Sequence, residues 1–265
     1  MKSKSLNPRK GLAVLKLYIA SGTYNDQSVT GNVVVNTGNV ILKDMVIEGN
    51  LYLAEGIGQG NVTLDSVAVK GTTFANSGGE NSIMLQNTTL ESLFVEKRDG
   101  KIRILAKDST VVAYAEFHSG ATLKKEGTDR TFESIEIQKI PSSHRIILDG
   151  DYALVNIEAP YADIEIVDGI VDTLNVADTA SGSNIQIAQG AAVKTLTADA
   201  PVGITGKGQI TNARINASGV SMEQKPDNVT LAEGVSIFRS SSIPPLVRAD
   251  GTASPLARKQ TGTEP

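Results

Sequence analysis

The sequence predicts an all-β solenoid, a parallel β-helix built from coils of about 20 residues. One line of evidence is composition. The 265 residues include no Trp and no Cys, only 4% aromatics and 25 glycines, and a narrow lumen of stacked aliphatic side chains has little room for large rings. A second is a repeat. Leu42–Ile47, Leu64–Val69, Leu85–Leu90 and Ala106–Val111 superimpose at steps of 22, 21 and 21 residues, with Leu or Ala first, Asp44, Ser66, Asn87 and Asp108 third, and Ile47, Val69, Leu90 and Val111 sixth. Four positions further lie Leu51, Thr73, Phe94 and Ala115. The third is another repeat set marked by Gly150, Gly169, Gly190 and Gly208, at steps of 19, 21 and 18 residues. Apolar columns with a recurring polar or glycine corner are what stacked coils require, because a corner between short strands favours residues that tolerate positive φ.

Taken in order, residues 1–10 form a flexible basic start carrying Lys2, Lys4, Arg9 and Lys10. Gly11 to Ala20 has a superficial likeness to a signal sequence, but Lys16 interrupts it and Leu15, Leu17 and Ile19 alternate as in a strand. Residues 11–30 are expected to cap the solenoid and 31–118 to form the first coil set. Residues 119–145, with Lys124, Lys125, Glu126, Gly127, Thr128 and Asp129, are expected to be an irregular loop leaving the rod. Residues 146–238 complete the second coil set, with a cap over Pro226 to Ile237. Residues 239–265, rich in Ser, Pro, Gly and Thr, are expected to be a disordered tail or linker.

Several runs resemble the β-helical repeat region of surface proteins of Gram-positive bacteria, the kind attached to S-layer homology or immunoglobulin-like domains. They are LYIASGTYND (17–26), MVIEGNLYLAEGIG (45–58), NVTLDSVAVKG (61–71), SGGENSI (77–83) and INASGVSMEQKPDNVTLAEGV (215–235). The resemblance implies a right-handed helix and an extracellular or cell-surface structural module with no catalytic motif to transfer. No S-layer homology domain, convincing signal peptide or sorting motif is read in these residues, so it implies no particular anchor.

The chemistry-bearing residues are weighed against stacking. Asp44, Ser66, Asn87 and Asp108 could offer oxygens to calcium, but such residues satisfy turn backbone locally, and Asp44 and Asp108 are three coils apart, roughly 14 Å by strand spacing. They are read as a structural polar ladder. Asp163 and Glu165, the core of an acidic cluster with Asp168 and Asp172 and with Arg145 upstream, share one strand face and form the weaker alternative, a carbohydrate site. Alternation with Ile164 and Ile166 favours a solvent-facing strand. His118 and His144 have no metal-ligand spacing and read as exposed turn residues. Gly56 to Gly60 and Gly203 to Gly208 read as corners rather than phosphate cradles, no GxSxG elbow is found, and Thr63, Thr72, Thr73 and Thr88 do not align as an ice-binding face would need. The sequons at Asn61, Asn87, Asn216 and Asn228 are read as incidental. No catalytic residue, metal or cofactor is expected.

A net charge of −4 argues against nucleic acid as partner, and no run approaches the roughly 20 apolar residues of a membrane span. The expected function is a structural scaffold, rigid spacer or lattice component of a bacterial envelope, able to form homo-oligomers or end-to-end polymers and to contact cell-wall glycan. Two alternatives stand beside it. One is a carbohydrate-binding or polysaccharide-cleaving module using a lateral face, for which Tyr52, Phe74, Phe94, Tyr114 and Phe117 are the aromatic supply; the other is a cytoplasmic bactofilin-like polymer.

Overall fold

A computed structural model describes residues 15–80, 82–99, 102–126 and 131–239; the expected basic start and nearly all of the expected tail lie outside these residues. The described chain is all-β apart from one short 3-10 turn, Glu55–Ile57, and its 24 strands join in one ladder system in which every pairing is parallel. This is the β-solenoid expected from the repeats.

One inward column shows how the sequence makes the coil. Lys16, Val33, Leu51, Thr73, Leu93, Ala115, Ile135, Val155, Leu174, Leu196, Ala213 and Val229 pair in succession. Members are separated by as few as 16 residues, Ala213 to Val229, and as many as 22, Leu51 to Thr73. From Val33 to Ala213 they are buried. Alternation along each strand sends these side chains into the lumen and their neighbours to the surface. Each full burial of Val, Leu or Ile contributes roughly 1.5–3 kcal/mol, and that burial exists only between neighbouring coils.

The polar corner has a conformational cause. Asp44, Ser66, Asn87 and Asp108 have φ of 52, 58, 47 and 52°, the left-handed region that Asp and Asn enter more easily than other residues with a Cβ. Among the second-set glycines, Gly150, Gly169 and Gly190 have φ of 130, 82 and 100°. Gly208 departs from expectation. The positive φ falls on Gly206 at 99°, and Gly208 is needed small, since a Cβ there would stand 2.1 Å from Ile187 Cγ2.

The expected loop over 119–145 is corrected. Strands Ala121–Glu126 and Phe132–Ile137 continue the ladder through it, while Gly127, Thr128 and Asp129 lie outside the described residues. The charges that suggested a break are paired between coils: Lys124 with Asp149 at 3.2 Å, Lys107 with Glu126 at 3.2 Å, and Lys125 with Asp151 at 3.6 Å. The corner itself shifts here. Ala106 is followed in its inward column by Lys125, whose side chain is only 4% exposed, and a Cβ on Gly150 would come within 2.8 Å of Lys125 Cβ. The irregular excursion is shorter, from Gln138 to Arg145.

Two column assignments also change. Thr73 pairs with Leu93, and Phe94 pairs with Phe74 on the outside; Val112, rather than Val111, follows Leu90. Ser109 is an extra corner residue that moves the following strand by one, and a one-residue slip exchanges inside for outside.

Candidate functional site

The acidic cluster is organised around Arg145, immediately before the strand Ile146–Asp149. Asp163 and Glu165 lie on the next coil, where Ile146 pairs with Ile164 and Ile147 with Glu165. Arg145 Nε and Nη2 donate to Asp163 Oδ2 at 3.0 and 2.9 Å, and Nη1 donates to Glu165 Oε2 at 2.6 Å. Asn184, one coil further, donates to Asp163 Oδ1 at 3.4 Å. Burial works against the guanidinium charge, and the two carboxylates more than offset it, so the Arg145 pKa is raised. Asp163 is buried at 7% exposure, which corrects its reading as a solvated residue. The cluster bridges coils through one guanidinium that engages both carboxylates.

The corner carboxylates Asp44 and Asp108 are exposed, and among the described residues no group of three or more His, Asp or Glu side chains converges as a metal centre would need. Beside this corner runs a buried hydroxyl pair. Thr88 Oγ1 lies 3.0 Å from the carbonyls of Leu64 and Gln86 and accepts from Val67 N–H at 3.5 Å. Thr110 Oγ1 donates to Leu85 O at 3.1 Å and accepts from Thr88 N–H at 3.3 Å. These hydroxyls satisfy turn backbone, the role expected of the polar column, which lies one residue before Thr88 and two before Thr110. The asparagine corner at Asn32 and Asn50 was not foreseen. Asn32 Oδ1 accepts from Asn50 N–H at 2.8 Å and Asn50 Oδ1 from Thr72 N–H at 2.9 Å; the recurrent Gly-Asn at 31–32 and 49–50 was its signal.

The aromatic supply forms a stripe along one lateral face. Tyr52 and Phe74 stack at 5.0 Å with 5° between their planes, Phe74 meets Phe94 at 5.7 Å, and Phe94 meets the His118 ring at 4.7 Å. Phe117 is fully buried and takes no part. Sugar stacking needs a free ring face, and Tyr52 and Phe74 turn faces toward each other. His118 Nε2 is 2.5 Å from Glu116 Oε1, and Tyr114 donates to Glu116 Oε2 at 3.2 Å. Burial, followed by the Glu116 charge, pushes the Tyr114 phenol up to about 12. His118 and His144 are half-buried rather than exposed and line one shallow hollow of about 360 Å³ with Lys97, Arg98 and Lys139. Lys97 is held by Asp99 at 2.7 Å.

Compared with protein-family models, with curated proteins and with solved structures, the chain gives no match. The described residues contain no helix long and apolar enough to cross a membrane.

Proposed function

We propose that this chain is a structural element of a bacterial envelope, a rigid β-solenoid spacer displayed at the cell surface. The observation that carries this reading is the use made of its conspicuous polar residues. Arg145, Asp163 and Glu165, the threonines at 88 and 110, and the lysines at 107, 124 and 125 bridge one coil to the next. Bridges of this kind stiffen a rod whose stability is otherwise the sum of neighbour contacts. The surface location is supported by the resembling sequence runs alone.

The test has two arms. Immunogold labelling of intact cells of the source organism is expected to decorate the surface, and purified chain is expected to release no reducing sugar from envelope polysaccharides. Label confined to the cytoplasm would overturn the location. Turnover lost in Glu165→Gln, a variant that keeps the side-chain shape, would overturn the structural reading in favour of a polysaccharide-cleaving one.

A further inference from the structure

Beside the excursion from Gln138 to Arg145, one arginine stands without a counter-charge over a shallow hollow, and from this we infer that the hollow binds a uronate, a sugar bearing a carboxylate. The inference goes beyond the spacer reading and does not rest on it, since binding belongs to the purified chain wherever that chain is displayed.

The floor of the hollow is an outward column of one ladder. Arg103 pairs with Thr122 and Thr122 with Ile147, so these side chains follow one another along the rod at roughly 4.8 Å per coil. His144, which lines the hollow described above, also lines this second one of about 360 Å³, together with Glu80, Asp99, Arg103, Thr122 and Ile147. Ile102 and Ala121 also border it and belong to the core beneath. The rim is fixed by packing. His144 N–H donates to Pro141 O at 2.8 Å, and Gly120 N–H donates to His144 Nδ1 at 3.4 Å. A Cβ on Gly120 would stand 2.8 Å from Arg145 O and 2.9 Å from His144 Cβ, so glycine is what lets the excursion lie close on the coil. A neutral imidazole that accepts at Nδ1 carries its proton at Nε2, which makes His144 a donor.

Around this hollow the other charges are spoken for. Asp99 holds Lys97 at 2.7 Å, Arg145 holds Asp163 and Glu165, and Glu80 is engaged as well. Arg103 is the exception. Its Nε is buried without a hydrogen-bond partner, and among the described residues no carboxylate pairs with its guanidinium. A buried donor left unsatisfied is costly, the more so on a cation, and the cost is recovered when a ligand brings the acceptor.

The neighbours select that ligand. A guanidinium takes a planar carboxylate through two parallel N–H donors. Glu80 and Asp99 on the same wall oppose a doubly charged phosphate, yet carboxylates readily accept hydrogen bonds from hydroxyls. Thr122 and His144 add a hydroxyl and a ring N–H, and Ile147 offers an apolar patch to the carbon face of a ring. One carboxylate on a body rich in hydroxyls, with an apolar face, describes a uronic acid. The volume lies at the small end of the range for small-ligand sites.

Isothermal titration of the full chain with oligomers of galacturonate, glucuronate and mannuronate tests this, with their methyl esters and inorganic phosphate as comparison ligands. The expected result is saturable binding of at least one uronate, about tenfold or more weaker for its methyl ester, and not displaced by equimolar phosphate. Arg103→Met keeps the aliphatic stem and removes the charged head. It is expected to weaken uronate binding about tenfold or more while leaving Tm unchanged or higher, because it deletes the unsatisfied donor. Arg214→Gln is the control and is expected to bind as the parent does; Arg214 is exposed in the strand Gln209–Ile215, whose ladder does not include Arg103. Should Arg103→Met lower Tm, Arg103→Lys reads the same contact, since it keeps the charge and loses the planar fork. No binding of any uronate, equal affinity for the methyl ester, displacement by phosphate, or binding undiminished in both Arg103 variants would each overturn the inference. Failed binding leaves the spacer's location untouched, and cytoplasmic label removes that location without touching uronate binding, so the two failures are distinguishable.

Discussion

Thr73 offers the sharpest test of how the lumen is stabilised. It sits between Leu51 and Leu93 in an inward column, is 1% exposed, and its Oγ1 has no hydrogen-bond partner among the described residues. A buried hydroxyl without a partner costs about 1–3 kcal/mol in proteins. Thr73→Val keeps the branched shape, replaces the hydroxyl by a methyl and adds apolar contact to both neighbours. The expected gain is about 1 kcal/mol, which for a chain of this size raises Tm by roughly 2–4 °C. Thr88→Val is the matched control, because the Thr88 hydroxyl is engaged with Leu64 O, Gln86 O and Val67 N–H; its loss is expected to cost about 1–2 kcal/mol. Calorimetry, with urea unfolding to give a second measure from the midpoint, reads both variants against the parent chain. A fall in stability for Thr73→Val, or shifts of the same sign for both, would refute the reasoning that hydroxyl satisfaction separates these two threonines.

Two further expectations rest on single positions. Gly169→Ala places a Cβ 2.2 Å from Gly150 O at a φ of +82°, whereas Gly190→Ala meets nothing within 4 Å at a φ of +100°; the first is expected to cost about 3 kcal/mol or more and the second about 1–2 kcal/mol. Equal Tm losses in the two would show that backbone strain, not coil contact, sets the cost. The pKa of Asp26 is held below its ordinary value by the hydrogen bond from Tyr18 and then by Lys16, so its contribution to the first coil is present above pH ~4 and is lost as pH falls through the lowered folded value. Amide exchange in 15–26 is expected to accelerate below pH ~4 in the parent chain, with the step reduced in Asp26→Asn; an undiminished step would remove Asp26 from the cap.

Much of the fold was legible in the residues. Leu42, Leu64 and Leu85 announce a column, and Asp44, Ser66, Asn87 and Asp108 announce a corner, because a stacked coil repeats the same demands at the same place. Register was less legible. Phe94 and Leu93 are both apolar, and only the extra corner residue Ser109 and the bulge between Val69 and Thr72 decide which of two neighbours points inward. The charged stretch Lys124 to Glu126 looked like a loop because charge usually marks solvent, yet its partners Lys107, Asp149 and Asp151 stand on adjacent coils 19 to 26 positions away. No local pattern contains that information.

The sequence by itself determined the solenoid, its coil length and the residues that tolerate its corners, since these follow from periodicity and from the φ that each side chain permits. Tertiary stacking decided what became of the polar residues: that Asp163 and Glu165 share Arg145, that Thr88 is satisfied while Thr73 has no partner among the described residues, and that Lys16 of the first strand pairs with Asp26. The physical reason is that partners in a solenoid lie one coil away. Contact is therefore set by the exact residue count of every intervening corner, and a change of one residue there exchanges lumen for surface.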